Sequence, residues 1–476
     1  MFPIKGNFLR HLSPARVIAF GFASLILIGS VLLIMPFSLR DGVNISYIDS
    51  LYTSASAVCV TGLLTVDVYD TFTTAGQIIV AVLIQAGGLG VATMGAGIIL
   101  AVGRKMDLKS RNIVREAVNL GADSGVARLV RNIFGATVVI ELAGAALSFC
   151  VFARKLPLGR AIGVSLFHSV AAFNNSGFDI FGGGQSLTAY RSDVALNLIT
   201  CALIILGGIG FLVIRELLDK RFRWKRLSMH AKVVLSVSGA LIVGGALLVK
   251  LTENIPWLGA LFNSVSARTA GFSTYPLGNF SNAGLLVMIF LMFVGASPGS
   301  TGGGIKTTTL FVLLQGIKSA ATNRSEKAFR YSVPKDAFKK AAIITLLGMG
   351  IVFTGTFIFC ALEPRLGLSD VLFEVVSAFG TVGLSTGITP TIGTGAKLLS
   401  IVLMYIGRLG CDAVVLLTRR TRALSRGKHF NRIKGDIQYV SSFQKRKNIL
   451  RHSRRGTVRL GACLRTCRRG RGHRGD

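Results

Sequence analysis

Charge is scarce in this sequence. Asp, Glu, Lys and Arg make up only 16% of its 476 residues, against about 25% in soluble globular chains. Hydrophobic residues make up 51%. That balance excludes the three or so soluble domains the length would otherwise allow, and it excludes disorder. Acidic residues are the scarcest charges, 21 against 54 Lys and Arg, for a net of +33. Cysteine offers no framework. Cys59, Cys150, Cys201, Cys360 and Cys411 lie in apolar segments as packing residues, and Cys463, Cys467 and His473 lack any zinc spacing. No cleavable signal peptide is evident, because the first apolar run, 14–39, is too long and has no small-residue cleavage site. No Ser/His/Asp arrangement or carboxylate pair stands at a plausible catalytic position.

Apolar stretches of membrane-spanning length recur instead, which makes this a polytopic membrane protein. Glycine is abundant, with 56 residues. The positive charge divides into two parts. Residues 419–476 hold 19 Lys and Arg against Asp436 and Asp476, a net of +17. The rest is confined mainly to four clusters: Lys5, Arg10 and Arg16; residues 104–115; residues 215–232; and residues 318–340. The positive-inside rule places all four in the cytoplasm. Arg154, Lys155 and Arg160 fall on the outside as exceptions.

Four segments align: LYTSASAVCVTGL from Leu51, LFHSVAAFNNSGF from Leu166, LFNSVSARTAGF from Leu261 and LFEVVSAFGTVGL from Leu372. Leucine and terminal glycine are 11, 11, 10 and 11 residues apart, so the third copy has lost one residue. Each segment is too short to span and lies between two long apolar runs. The expected architecture is an all-α polytopic membrane protein of four span–pore-loop–span repeats, with eight spans and four re-entrant half-helices in a pseudo-fourfold arrangement. The repeats cover residues 1–110, 111–225, 226–325 and 326–418, followed by a basic tail at 419–476. Only the third repeat's second span is expected to be interrupted.

The loop at the end of each copy carries the chemistry. Irregular backbone at membrane depth must line protein or a watery cavity. Glycine admits positive φ and so turns carbonyls toward a common axis, where carbonyl rings replace the hydration shell of potassium. The candidate filter is Val60-Thr61-Gly62, Asn175-Ser176-Gly177, Thr269-Ala270-Gly271 and Thr381-Val382-Gly383. The side chains differ, as expected if the backbone is the ligand. One glycine per loop predicts a short filter with few ion sites.

With these loops the chain resembles the Trk/Ktr/HKT superfamily of potassium transporters, specifically its KtrB-type bacterial subunit, over residues 10–410. The lack of spans ahead of the first repeat favours that type over the longer TrkH-type subunits. The resemblance implies potassium uptake, often sodium-dependent, by a homodimer in the bacterial plasma membrane. It also implies a cytosolic ring of nucleotide-binding, KtrA-type regulatory subunits. Both termini are expected in the cytoplasm. No cofactor or nucleic acid is implied, and the ions are cargo. The alternatives are a TrkH-type subunit, a simple potassium channel, or a membrane enzyme using phosphate.

The last alternative would rest on the glycine-rich segment Gly295–Lys306. It fails the phosphate-loop pattern because Ile305 separates Gly304 from Lys306, and because it follows an apolar span. A break buried inside a span fits better. In the related transporters this loop gates the pore, which makes Gly299, Ser300, Thr301, Gly302, Gly303, Gly304 and Lys306 candidate gate residues. Arg408 is a charge inside a span, which by default faces a cavity or partner; the resemblance points it into the pore, to repel ions or latch the loop. Glu374 is expected to fix its loop or shape the cation field, Glu141 to be paired in the bundle, and His168 to be packed. Asp67, Asp70 and Asp179 either concentrate cations at the mouth or are ordinary solvated loop charges. The glycines in the middle of the other second spans, Gly87-Gly88-Leu89-Gly90, Gly207-Gly208-Ile209-Gly210 and Gly407-Arg408-Leu409-Gly410, are for the most part explained by close packing.

After Gly410 the resemblance fails. The tail is Arg-rich, of a composition read as disorder. Sparse aromatics (Phe430, Tyr439, Phe443) argue against nucleic acid, and anionic lipid at the inner leaflet is an alternative. The abrupt change in composition favours a reading-frame shift in a GC-rich gene.

Overall fold

In the computed structural model, residues 14–101, 114, 126–323, 327–329, 331–332 and 336–410 are described. The N-terminal Lys5 and Arg10, the basic residues at 104–113 and 115, Arg324, Arg330, Lys335 and everything from Cys411 onward, the tail included, lie outside them.

The chain begins with α1 (Pro14–Ile34), a short α2 (Tyr47–Cys59), then α3 (Thr74–Leu89) and α4 (Val91–Ala101). The pattern recurs as α5 (Val126–Phe152), α6 (Leu158–Phe173), α7 (Val194–Ile209) and α8 (Phe211–Asp219). A third set is α9 (Met229–Thr252), α10 (Trp257–Ser266), α11 (Asn282–Phe293) and α12 (Thr307–Thr322). The last is α13 (Ala337–Leu362), α14 (Leu368–Gly380) and α15 (Thr394–Leu409). The strands among the described residues are the two-residue pair Lys327–Ala328 and Tyr331–Ser332.

Helices α1, α5, α9 and α13 are long and apolar enough to cross a membrane. They expose large apolar side chains outward; Leu251 is 81% and Phe353 77% exposed. Water would penalise such surface, whereas lipid tails do not. Helices α2, α6, α10 and α14 have 13, 16, 10 and 13 residues. At about 1.5 Å per residue they reach ~15–24 Å, short of the ~30 Å hydrocarbon core. They form the buried centre, where Tyr52, Phe173, Phe262, Phe373 and Phe379 are at most 1% exposed.

Each half-helix is keyed to its long helix by one repeated contact. Ser54, Ser169 and Ser264 donate to the carbonyls of Ile26, Glu141 and Ile242, at 2.7, 2.6 and 2.8 Å. A glycine three residues on (Gly29, Gly144, Gly245) leaves room for the hydroxyl; a β-carbon there would lie 2.4–2.5 Å from it. In the fourth set Val375 takes the serine's place against Gly355.

The second span of each of the first two sets is not the single continuous helix expected. Helix stops at Leu89 and resumes at Val91, and α7 and α8 meet at a 99° bend. The cause is Gly90 and Gly210, at φ 83° and 91° with ψ near 140°, a region closed to L side chains. α15 ends at Gly410 in the same conformation. The third set breaks over the longer segment between α11 and α12.

Candidate functional site

The four short helices end where the four loops begin, so their carbonyl ends converge on one place. Each such end carries a partial negative charge of about half an electron, which favours a cation. The first residue of every loop is left-handed: Val60 at φ 57°, Asn175 at 58°, Thr269 at 77° and Thr381 at 51°. Two positions later each glycine is left-handed again, Gly62 at 96°, Gly177 at 69°, Gly271 at 79° and Gly383 at 95°. Branched Val and Thr in this region are strained, at a cost of order 1–3 kcal/mol each, and such strain concentrates at functional sites. It is held here by the hydrogen bonds that tie the loops to the half-helices.

The loops close in a ring. A β-carbon on Gly62 would lie 2.4 Å from the Ser176 carbonyl oxygen, one on Gly177 2.9 Å from that of Ala270, one on Gly271 2.4 Å from that of Val382, and one on Gly383 2.0 Å from that of Thr61. First meets second, second third, third fourth, and fourth first. The eight residues that precede the glycines are fully buried, so bulk water does not reach them.

The half-helices brace this ring. Thr61, Ser176 and Val382 donate their N–H to carbonyls five residues back, Ser56, Ala171 and Ser377, at 2.8–2.9 Å. The Gly62 and Gly383 N–H groups donate to the Ser56 and Ser377 hydroxyls at 2.9 and 3.1 Å. In the third loop, one residue shorter, Ala270 donates to the Ser266 carbonyl four residues back at 2.9 Å. The missing residue is thus taken up in the turn, and Gly271 keeps its place. Ser56 and Ser377 were visible in the sequence only as small residues.

Beneath the ring lies the segment from Gly295 to Lys306, pinched at its base by a parallel bridge between Val294 and Ile305. Gly303 N–H donates to the Thr381 hydroxyl at 3.1 Å, and a β-carbon on Gly302 would strike the Thr269 hydroxyl at 2.1 Å. The segment therefore touches the first residue of two of the four loops. Ser297 and Thr301 donate N–H to the Gly208 and Gly207 carbonyls at 3.1 and 3.3 Å, and Phe211 N–H donates to the Gly299 carbonyl at 3.2 Å. Ser300 donates to the Ser297 carbonyl at 2.6 Å. Gly304 sits at φ 68°, turning the chain back toward α12. Lys306 Nζ donates to the Gly302 and Gly303 carbonyls at 2.8 and 3.3 Å.

Arg408 spans this region. Its guanidinium donates to the Thr301 carbonyl of the loop and to the Gly87 and Gly88 carbonyls at the end of α3. The Phe22 ring lies 5.9 Å from it. The glycines of the second spans serve close approach: β-carbons on Gly87, Gly207 and Gly407 would lie 1.9–2.0 Å from the Val58, Phe173 and Phe379 carbonyl oxygens. Each of those carbonyls is two residues before the left-handed first residue of a loop.

Other charges hold structure. Asp70 and Asp67 accept from the Gly183 and Gly184 N–H groups at 2.8 Å, pinning the connection that follows the second loop. They are therefore not simply solvated. The Arg160 and Arg40 guanidiniums stand 4.3 and 4.4 Å from the centre of the Tyr69 ring, and Arg160 donates to the Phe181 carbonyl at 3.1 Å. Asn174 donates to Glu141 at 3.0 Å and Gln85 at 2.8 Å. His168 is packed between Phe152 and Phe272, with Nε2 2.9 Å from the Thr200 hydroxyl. Arg268, next to Thr269, is 8% exposed among Ile204, Ile209, Ile242 and Val265, and its Nε has no partner. A charge at this depth was the signal that could have drawn attention to it.

The family model for cation transport proteins named TrkH matches residues 17–241 and 233–425. The potassium/sodium uptake protein NtpJ of Enterococcus hirae is 37% identical over 443 residues, covering 90% of this chain and 98% of that protein. The Ktr system potassium uptake protein B of Bacillus subtilis is 37% identical over 411 residues, covering 84% and 91%. The crystal structure of the potassium transporter TrkH from Vibrio parahaemolyticus has the same fold, with a TM-score of 0.70 at 18% identity, over 88% of this chain and 87% of that one.

Proposed function

The chain belongs to the TrkH family of cation transport proteins and is of the KtrB type, and we propose that it carries potassium into the cell through the ring of four loops. Potassium enters the ring without its water. The carbonyls of Val60-Thr61-Gly62, Asn175-Ser176-Gly177, Thr269-Ala270-Gly271 and Thr381-Val382-Gly383 replace its hydration shell. The four half-helix ends add a field that favours a cation and excludes anions. Ion gradients drive the movement, with no covalent step. The observation that carries this reading is the closed ring, in which each glycine faces the carbonyl of the next loop.

The segment Gly299–Gly304 with Lys306 is the gate. Arg408 latches it by holding the Thr301 carbonyl and the Gly87–Gly88 carbonyls together. Opening requires those bonds to part and the loop to swing from under Thr269 and Thr381. The proposal includes eight membrane crossings in four repeats, with both termini in the cytoplasm. It also includes a homodimer seated on cytosolic nucleotide-binding subunits. The Ktr system name of the Bacillus relative supports a multi-component assembly, and the two ions in the Enterococcus relative's name support sodium dependence.

The test is uptake of radioactive rubidium, a potassium tracer, into cells lacking their own potassium systems. Expression of this chain with its cytosolic partner is expected to restore uptake. Protein present in the membrane without uptake would contradict the proposal.

A further inference from the structure

The second residue after the leading leucine of each half-helix is polar and at most 2% exposed: Thr53, His168, Asn263 and Glu374. Such groups must find partners. Thr53 and Asn263 bond back to their own helices, at the Asp49 and Gly259 carbonyls. His168 and Glu374, in the second and fourth sets, reach across. His168 meets Thr200, seven residues before Gly207 in the second span. Ser400 occupies the matching place in α15, seven residues before Gly407. Glu374 reaches beyond its filter loop: Thr389, in the turn Thr389–Thr391, donates to its Oε1 at 2.5 Å, and the Thr389 hydroxyl is 2.9 Å from that of Ser385.

We propose that Glu374 is a positioning residue for ion selection, holding the outer limb of the fourth filter loop against the half-helix that supports its inner limb. This rests on the reading of that loop as filter. The loop is fixed from α14 at two points. Ser377 holds the Gly383 N–H at 3.1 Å, and Glu374, one turn earlier, holds Thr389 six residues past Gly383. Between them the segment from Gly383 to Thr389 has a set length and direction. The other carboxylate oxygen, Oε2, is buried and unpartnered, and the buried hydroxyls of Tyr52 and Ser400 lie beside each other near it. The carboxyl therefore also faces the seam where α2 of the first set meets α15, next to the Asp49–Lys397 ion pair at 2.7 Å. One side chain thus holds the fourth loop and stands at the seam with the first set, where the ring closes.

The test measures rubidium uptake and its inhibition by sodium in wild type and in Glu374→Gln, Glu374→Val and Thr389→Val. Thr389→Val removes the same bond without altering the half-helix, which guards against misfolding of the Glu374 variants. Glu374→Gln keeps the acceptor and is expected to keep selectivity. Glu374→Val and Thr389→Val are expected to lose about tenfold in potassium-over-sodium preference, about the worth of one buried hydrogen bond. Reduced uptake with an unchanged ion preference in both valine variants would mean a merely structural role and would overturn the inference while leaving the filter reading intact. A wild type that does not prefer potassium would overturn the filter reading and this inference together.

Discussion

A β-carbon on Gly383 would stand 2.0 Å from the Thr61 carbonyl oxygen, so the fourth loop closes directly onto the first although more than 300 residues separate them. This contact converts four sequential repeats into a ring. It also identifies the positions at which small changes have large effects.

Releasing the proposed Arg408 latch is expected to raise flux. Arg408→Gln removes bonds from a charged donor to three carbonyls, and each such bond is worth about 1.5–3 kcal/mol. Even partial loss shifts the closed-to-open balance of the loop by about tenfold. Initial rubidium uptake in Arg408→Gln is therefore expected to exceed wild type several-fold at equal membrane abundance. Unchanged or lower uptake would contradict the latch.

Glycines that look alike in the sequence are expected to differ sharply. Gly207→Ala places a methyl group 1.9 Å from the Phe173 carbonyl oxygen, whereas Gly239→Ala meets nothing within 4 Å. The first is expected to cost about 1–3 kcal/mol by overpacking. The second is expected to be neutral or to gain about 0.5–1 kcal/mol from helix propensity. Thermal unfolding of detergent-solubilised protein checks both, with the two melting temperatures moving apart.

The serine keys are separable from the filter. Ser54→Ala, Ser169→Ala and Ser264→Ala each remove one hydrogen bond, for a loss of about 0.5–1.5 kcal/mol, and ion preference is expected to stay at the wild-type value. Val375 at the fourth position indicates that an apolar residue is accepted there. Melting temperature and sodium inhibition of rubidium uptake, measured side by side, test this.

Uptake is expected to depend on external pH through Asp179. Burial pushes its carboxyl up to about 7, the neighbouring Asp67 and Asp70 charges push the same way, and a bond from the Phe181 N–H opposes them. The charge at the mouth is therefore present above pH 7 and lost as pH falls through it. Apparent affinity for rubidium is expected to weaken about two- to threefold between pH 8 and 6, a modest loss of local cation attraction, and Asp179→Asn is expected to flatten the profile. Because the raised value disfavours the charged form in the folded state, the penalty on stability grows from about pH 4 to 7 and is absent below. A profile equally steep in Asp179→Asn would contradict this.

The repeat made the four glycines legible, because matching offsets recur even where Thr269-Ala270-Gly271 has lost a residue. The breaks at Gly90 and Gly210 were not legible. Hydropathy runs unbroken through both, and close packing was a sufficient reading for the whole glycine motifs, Gly90 and Gly210 included. Ser54, Ser169 and Ser264 stood in plain view inside the repeats, but their partners are main-chain carbonyls, which leave no sequence signature. Asp67 and Asp70 were ambiguous for a related reason. Their partners are backbone N–H groups 117 and 113 residues away, and no local pattern reports such a pairing.

The most direct measurement of the central claim is ion preference in Gly62→Ser and Gly383→Ser. Rubidium uptake would be measured against increasing sodium in cells lacking other potassium systems. A side chain at either position strains a left-handed residue and strikes the next loop's carbonyl, at 2.4 or 2.0 Å. The prediction is loss of potassium-over-sodium preference in both variants, by at least tenfold, a change of about 1.4 kcal/mol, with protein still in the membrane. Wild-type preference retained in both would contradict the assignment of these loops as the filter.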